Sequence, residues 1–112
     1  MAIDDDLEFR CDVHRVDHRI AIEMSGEIDV AIKENLNAEL ETLDRMLASN
    51  RVRAITIDMS HVSFCDSTGV AFLLRAQDRT ARSGASFELL SISVSVQTVL
   101  DALALDDIVN HT

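Results

Sequence analysis

Phe9, Cys11 and Val13 alternate with charged or polar neighbours, and Ile20, Ile22 and Met24 do the same beyond a break near Asp17-His18. Alternation of this kind puts every second side chain on one face of a strand, so an opening hairpin of two paired strands is predicted. From Ala31 to Ser49 the period changes, and Ile32, Leu36, Leu40, Leu43 and Leu47 recur at spacings of three and four. That stripe lines one face of a helix, with Asp29 placed to cap its first turn. Val52 to Met59 is β-branched and mostly apolar, bounded by Ser49-Asn50 and Ser60-His61, which is the pattern of a buried central strand.

Ser63 to Asp66 reads as a loop leading into a second helix, Ser67 to Arg82, with Val70, Leu73, Leu74, Gln77 and Ala81 on one face and a carboxyl cap at Ser83-Gly84. Ser86 to Ile92 reads as another strand. Val96, Val99, Leu100 and Leu103 place a third amphipathic helix before a break at Asp106-Asp107. The predicted order is strand, strand, helix, strand, helix, strand, helix. The fold class is therefore α/β: a mixed, mostly parallel sheet with an opening antiparallel hairpin, three or more helices packed on it, and right-handed crossovers.

Composition narrows the picture. The chain has 112 residues and no repeat or linker, so one domain over residues 1–112 is expected, with a flexible acidic leader over 1–7. Four phenylalanines and no tryptophan or tyrosine leave the core to aliphatic side chains, which favours helices on a sheet. Twenty acidic residues against ten basic ones give a formal charge of −10, which repels nucleic acid and anionic membranes and suits a basic protein surface. The longest apolar run, Val70 to Leu74, is far short of the ~20 residues that span a bilayer. Asp4-Asp5-Asp6 is the opposite of a basic secretory leader, so a cytoplasmic protein is expected. Cys11 and Cys65 lie far apart without metal-ligand spacing and read as small hydrophobes in a reducing compartment. His14 and His18 straddle the hairpin rather than sharing a helical face, and neither a metal nor a cofactor is implied.

Asp66-Ser67-Thr68-Gly69 falls where a central strand's loop enters a helix, the place where partner sites of open α/β sheets gather. Serine or aspartate there also caps the helix, and position alone leaves both roles open, capping being the commoner. Gly69 either admits a partner or a phosphate to the backbone or packs helix against strand. A hydrolase of Ser67, Asp66 and His61 is disfavoured, because the Gly-x-Ser-x-Gly elbow is missing. The hydrolase reading is set aside on that ground.

Two blocks carry more: Ser25-Gly26-Glu27-Ile28-Asp29 after the second strand, and the run from Asp58-Met59-Ser60-His61-Val62 through Ser63-Phe64-Cys65 to Asp66-Ser67-Thr68-Gly69. With them the chain, from about Phe9 to Val109, resembles a STAS domain, and within that family the single-domain anti-anti-sigma factors. The resemblance implies that Ser67 is the phosphoacceptor, flanked by Asp66 and Thr68. Ser25 to Asp29 reads as a turn between strand and helix, and the resemblance implies that this region contacts the partner, making Glu27 and Asp29 candidate partner residues beside Asp66, Thr68 and Gly69. Capping by Asp29 and ordinary solvation of Glu27 are the alternatives. The unphosphorylated form would capture an anti-sigma factor that doubles as a serine kinase, freeing a sigma factor, and a PP2C-type phosphatase would reset the phosphorylated form. The alternative within the family is a non-switched adaptor or scaffold subunit of a transport or stress-signalling complex. Two departures stand out: Ala71 replaces the second glycine of a Gly-Leu-Gly run, and Val94 or a neighbour replaces a proline that commonly opens the last helix.

Overall fold

β1 (Arg10–Val16) and β2 (Arg19–Ile28) pair antiparallel, Asp12 opposite Glu23 and Val13 opposite Ile22. Their turn passes through Asp17 at φ 55°, a left-handed conformation that aspartate tolerates. β2 then pairs parallel with β3 (Ala54–Cys65), and β3 with β4 (Ser86–Ile92), giving a four-stranded sheet in the order β1-β2-β3-β4. The connections are α1 (Lys33–Leu47), preceded by a 3-10 turn at Val30–Ile32, and α2 (Ser67–Arg82); α3 (Val94–Ala102) follows β4. This is the α/β architecture that the hydrophobic periods imply. The computed structural model describes residues 8–49 and 51–105, so the predicted leader and the Asp106-Asp107 break lie outside the described residues.

One face of the sheet carries the core. Ile22, Ile57 and Leu89 form a cross-strand row on it and are buried beneath the helices. α1 contributes Leu36, Leu40, Leu43 and Leu47, the stripe expected of it, and Arg79 of α2 ties to Asp44 of α1 at 2.9 Å. The other face carries Asp12, Glu23 and Asp58 in cross-strand register, all exposed or half-buried.

Three expectations need correction. First, the buried face of α2 runs through Gly69, Val70, Phe72, Leu73, Ala76 and Thr80, while Leu74 and Ala81 point outward. The small Gly69 and Ala76 lie on this buried face, and Leu74 falls about 100° round the helix from the buried Leu73. Second, β3 does not end at Met59 but continues to Cys65, so Ser63 to Cys65 is strand rather than loop. Third, Ser25 to Ile28 is the end of β2 and not a turn.

The last two corrections share a cause. β3 holds one surplus residue between Asp58 and His61 and another between Val62 and Phe64, relative to the β2 residues they face. Each surplus residue is a bulge, which shifts the buried positions from every second residue to every third: Met59, Val62, Cys65. An alternation of period two therefore stops being visible at Met59, although the ladder goes on. Two polar groups at the bulges find side-chain partners. The Ser60 N–H donates to Asp58 Oδ1 at 2.9 Å, and the Ser63 carbonyl accepts from Ser95 Oγ of α3 at 2.8 Å.

The orientation of α2 sets unequal roles for adjacent leucines. Leu73 is fully buried and Leu74 is 40% exposed. Urea unfolding should show Leu73→Ala costing about 3 kcal/mol and Leu74→Ala less than about 1 kcal/mol. Equal costs would mean that the helix is turned differently.

Candidate functional site

At the end of β3 the ladder hands over directly to a helix. The Asp66 N–H donates to the Ile28 carbonyl at 3.2 Å, prolonging the β2–β3 pairing by one step. Asp66 is extended (φ −113°, ψ −166°), and its Oδ1 accepts from the Thr68 N–H at 2.8 Å, which makes it the cap of α2. At the end of the adjacent β2, Asp29 caps the 3-10 turn in the same way, accepting from the Ala31 N–H at 2.9 Å. Both aspartates named as partner residues from sequence are thus structural caps with half-buried side chains.

Ser67 is the first residue of α2, and it is exposed. Thr68 is half-buried. Gly69 is buried, and a Cβ built there would stand 2.5 Å from Cys65 Sγ and 3.0 Å from Ile28 Cγ2. Of the two roles open to Gly69, the missing side chain serves helix-to-strand packing. Glu27 is half-buried within β2, opposite Phe64. The neighbouring Gly26 adopts φ 86°, where any Cβ would collide with the Glu8 carbonyl, so only glycine fits.

Sequence reasoning passed over two groups of residues at this end of the sheet. Val30, Phe64 and Val94 are 70, 47 and 83% exposed, and each lies at or beside the carboxyl end of one of three adjacent parallel strands. Val30 had a local signal, being an apolar residue beside the predicted Asp29 cap and outside the apolar stripe of its helix. The second group is a pair of cations. A groove of about 210 Å3 between α1 and α2 is lined by Ser67 and Thr68 together with Lys33, Ala71, Phe72 and Arg75. Lys33 and Arg75 lie 42 residues apart in sequence, so nothing in a local pattern joins them.

Among the described residues, His18 and His61 each lie against a neighbouring polar group. His61 Nδ1 lies 3.1 Å from Ser60 Oγ, and His18 Nδ1 is 3.0 Å from the Arg51 carbonyl. No group of three or more histidine, cysteine or acidic side chains suited to a metal occurs among the described residues. Both cysteines are free; burial, with Asp66 adding to it, pushes the Cys65 thiol up to about 11, and burial pushes Cys11 up to about 12, with Glu39 and Asp12 adding to it. Among the described residues no helix is long and apolar enough to cross a membrane.

The STAS domain model matches residues 10–112, nearly the whole chain. The chain belongs to the STAS domain family. This STAS domain is similar in fold to the anti-sigma factor antagonist SpoIIAA in its unphosphorylated form, with 20% identity, a TM-score of 0.72, and 91% of this chain and 85% of that one covered. An anti-sigma factor antagonist from Mycobacterium paratuberculosis compares at 20% identity and TM-score 0.71, covering 91% and 83%. The Bacillus cell fate determinant SpoIIAA in its phosphorylated form compares at 22% identity and TM-score 0.66, covering 91% and 88%. Identities this low establish the fold, and the role of each residue rests on the site itself.

Two measurements follow from the packing of this STAS domain. Gly69→Ala should cost about 1–3 kcal/mol in urea unfolding, and adding Cys65→Ala, which removes the obstructing sulfur, should recover part of that loss. Additive losses would rule out the contact. The raised thiol pKa values withhold the reactive thiolate below them, so at pH 8 a disulfide reagent should label the native protein far more slowly than the urea-unfolded chain. Prompt native labelling of both thiols would contradict their burial.

Proposed function

We propose that this STAS domain is an anti-sigma factor antagonist gated by phosphorylation of Ser67. The observation that carries the reading is an exposed hydroxyl at the first position of α2, on a backbone fixed by the Asp66 cap, in the company of the exposed Val30, Phe64 and Val94. A hydroxyl so placed is accessible to a kinase, and the apolar side chains near it supply the contact area that a protein partner needs. Similar solved structures of antagonists in unphosphorylated and phosphorylated forms support the same reading.

In this proposal the unphosphorylated domain binds an anti-sigma factor that is also a serine kinase, and so releases a sigma factor in the cytoplasm. Val30, Phe64 and Val94 pack on the partner, while Thr68, Glu27 and the backbone held by Asp29, Asp66 and Gly69 give the surface its shape. The kinase transfers the γ-phosphoryl group of ATP: a bond forms from Ser67 Oγ to phosphorus, the bond to the ADP oxygen breaks, and the hydroxyl proton leaves to a base of the kinase. A PP2C-type phosphatase restores the hydroxyl by hydrolysis. The domain is a substrate throughout and catalyses neither step.

The charge explains the gate. A phosphoserine adds about −1.5 to −2 charges beside the Asp66 carboxylate, in the middle of a surface that must desolvate to bind. Like charges brought together at an interface cost several kcal/mol, and ~3 kcal/mol already lowers affinity more than a hundredfold.

Calorimetry with the kinase partner tests the reading. Ser67→Asp should keep the unfolding transition of the parent while binding about a hundredfold more weakly, whereas Ser67→Ala should bind normally and accept no phosphate. Phe64→Ala should weaken binding about tenfold. Unchanged affinity of Ser67→Asp, or an absence of phosphate on Ser67 after incubation with the kinase and ATP, would sink the proposal.

A further inference from the structure

The groove between α1 and α2 is basic in a chain whose formal charge is −10. Lys33 on α1 and Arg75 on α2 face it together, and both are exposed. Among the described residues the ion pairs are His14–Glu23, Arg79–Asp44 and Arg82–Asp78, so neither groove cation has a carboxylate within 4.0 Å. Two like charges sharing one groove without a counter-charge repel each other, and an anion placed between them is attracted by both. Ser67 and Thr68 both line this groove with them, and Ser67 is the exposed residue of the two.

The geometry suits a phosphate on that hydroxyl. Ser67, Ala71 and Arg75 recur at intervals of four and so form one row along α2. The Arg75 Cα lies about 12 Å beyond that of Ser67, and a helical side chain of this length leans back toward the amino end of its helix. The side chain it must pass is only the methyl group of Ala71. Lys33, the first residue of α1, closes the groove from the opposite wall. The neighbouring backbone offers less help, because the Thr68 N–H is already engaged by Asp66.

We propose that phosphorylated Ser67 is held by its own domain, with Lys33 and Arg75 clamping the phosphate in the α1–α2 groove. The inference rests on the Ser67 switch described above and supplies its regulation. The clamp stabilises the phosphorylated state and offsets the repulsion from Asp66. It also engages the phosphate oxygens, which slows removal of the phosphate by a phosphatase.

Phosphoserine installed at position 67 by genetic-code expansion allows a test that needs no kinase. The phosphate's second ionisation, followed by phosphorus NMR, should fall about one unit lower in the parent than in Lys33→Gln/Arg75→Gln, because the cations favour the dianion. Asp66 is present in both proteins and cancels in the comparison. The unphosphorylated variant should melt with the parent, both side chains being exposed, and each single substitution should show part of the shift. Identical ionisation in parent and double variant would overturn the clamp while leaving the switch untouched. A clamped phosphate on a serine that no partner kinase modifies would uphold the clamp as chemistry and overturn the switch.

Discussion

Beyond Glu23 the pairing of β2 with β3 runs on across two surplus residues of β3, and this register sets which residues of the two strands finish opposite each other at the site. The ladder carries Cys65 opposite Ile28 and Asp66 onto the Ile28 carbonyl, so that β2 and β3 finish level with each other. Their two aspartate caps then launch the 3-10 turn before α1 and the first turn of α2 side by side. The groove between the helices, and the company Ser67 keeps within it, depend on that alignment. Gly69 is what allows α2 to start so close to the strands it leaves, since any Cβ would press on Cys65 and Ile28.

Capping and the proposed regulation are complementary at this site. Asp66 spends its carboxylate on the Thr68 N–H, which fixes the backbone around Ser67 while leaving the serine hydroxyl outside the capping arrangement. A rigid backbone presents the hydroxyl at one place relative to Val30 and Phe64, and this is what a protein interface requires of a modifiable residue. The bulges serve the same end: the carbonyl freed at Ser63 is bound by Ser95, which anchors the first turn of α3, and with it Val94, to the end of β3.

The strands, the helices and a serine at the start of α2 were legible because each rests on a local pattern. Leucines at spacings of three and four need only one helix to be read, and Asp66-Ser67-Thr68-Gly69 is contiguous. The continuation of β3 was not legible, since bulges replace the two-residue repeat by Met59, Val62, Cys65, and the partner strand that compensates for them lies more than thirty residues away. The outward turn of Leu74 was hidden for a related reason: which of two adjacent leucines is buried depends on how the helix is rotated against the sheet, and that is settled by contacts with distant segments.

The sequence by itself determined the α/β class, the element order, the aliphatic core, the acidic character and a serine at a helix start, because periodicity, charge and capping act over a few residues. Only the tertiary structure decided that Gly69 is a packing glycine, that Ser25 to Ile28 is strand, and that Lys33 and Arg75 share a groove with Ser67. Those features depend on contacts between segments far apart in the chain, and no local pattern records which distant side chain will stand opposite.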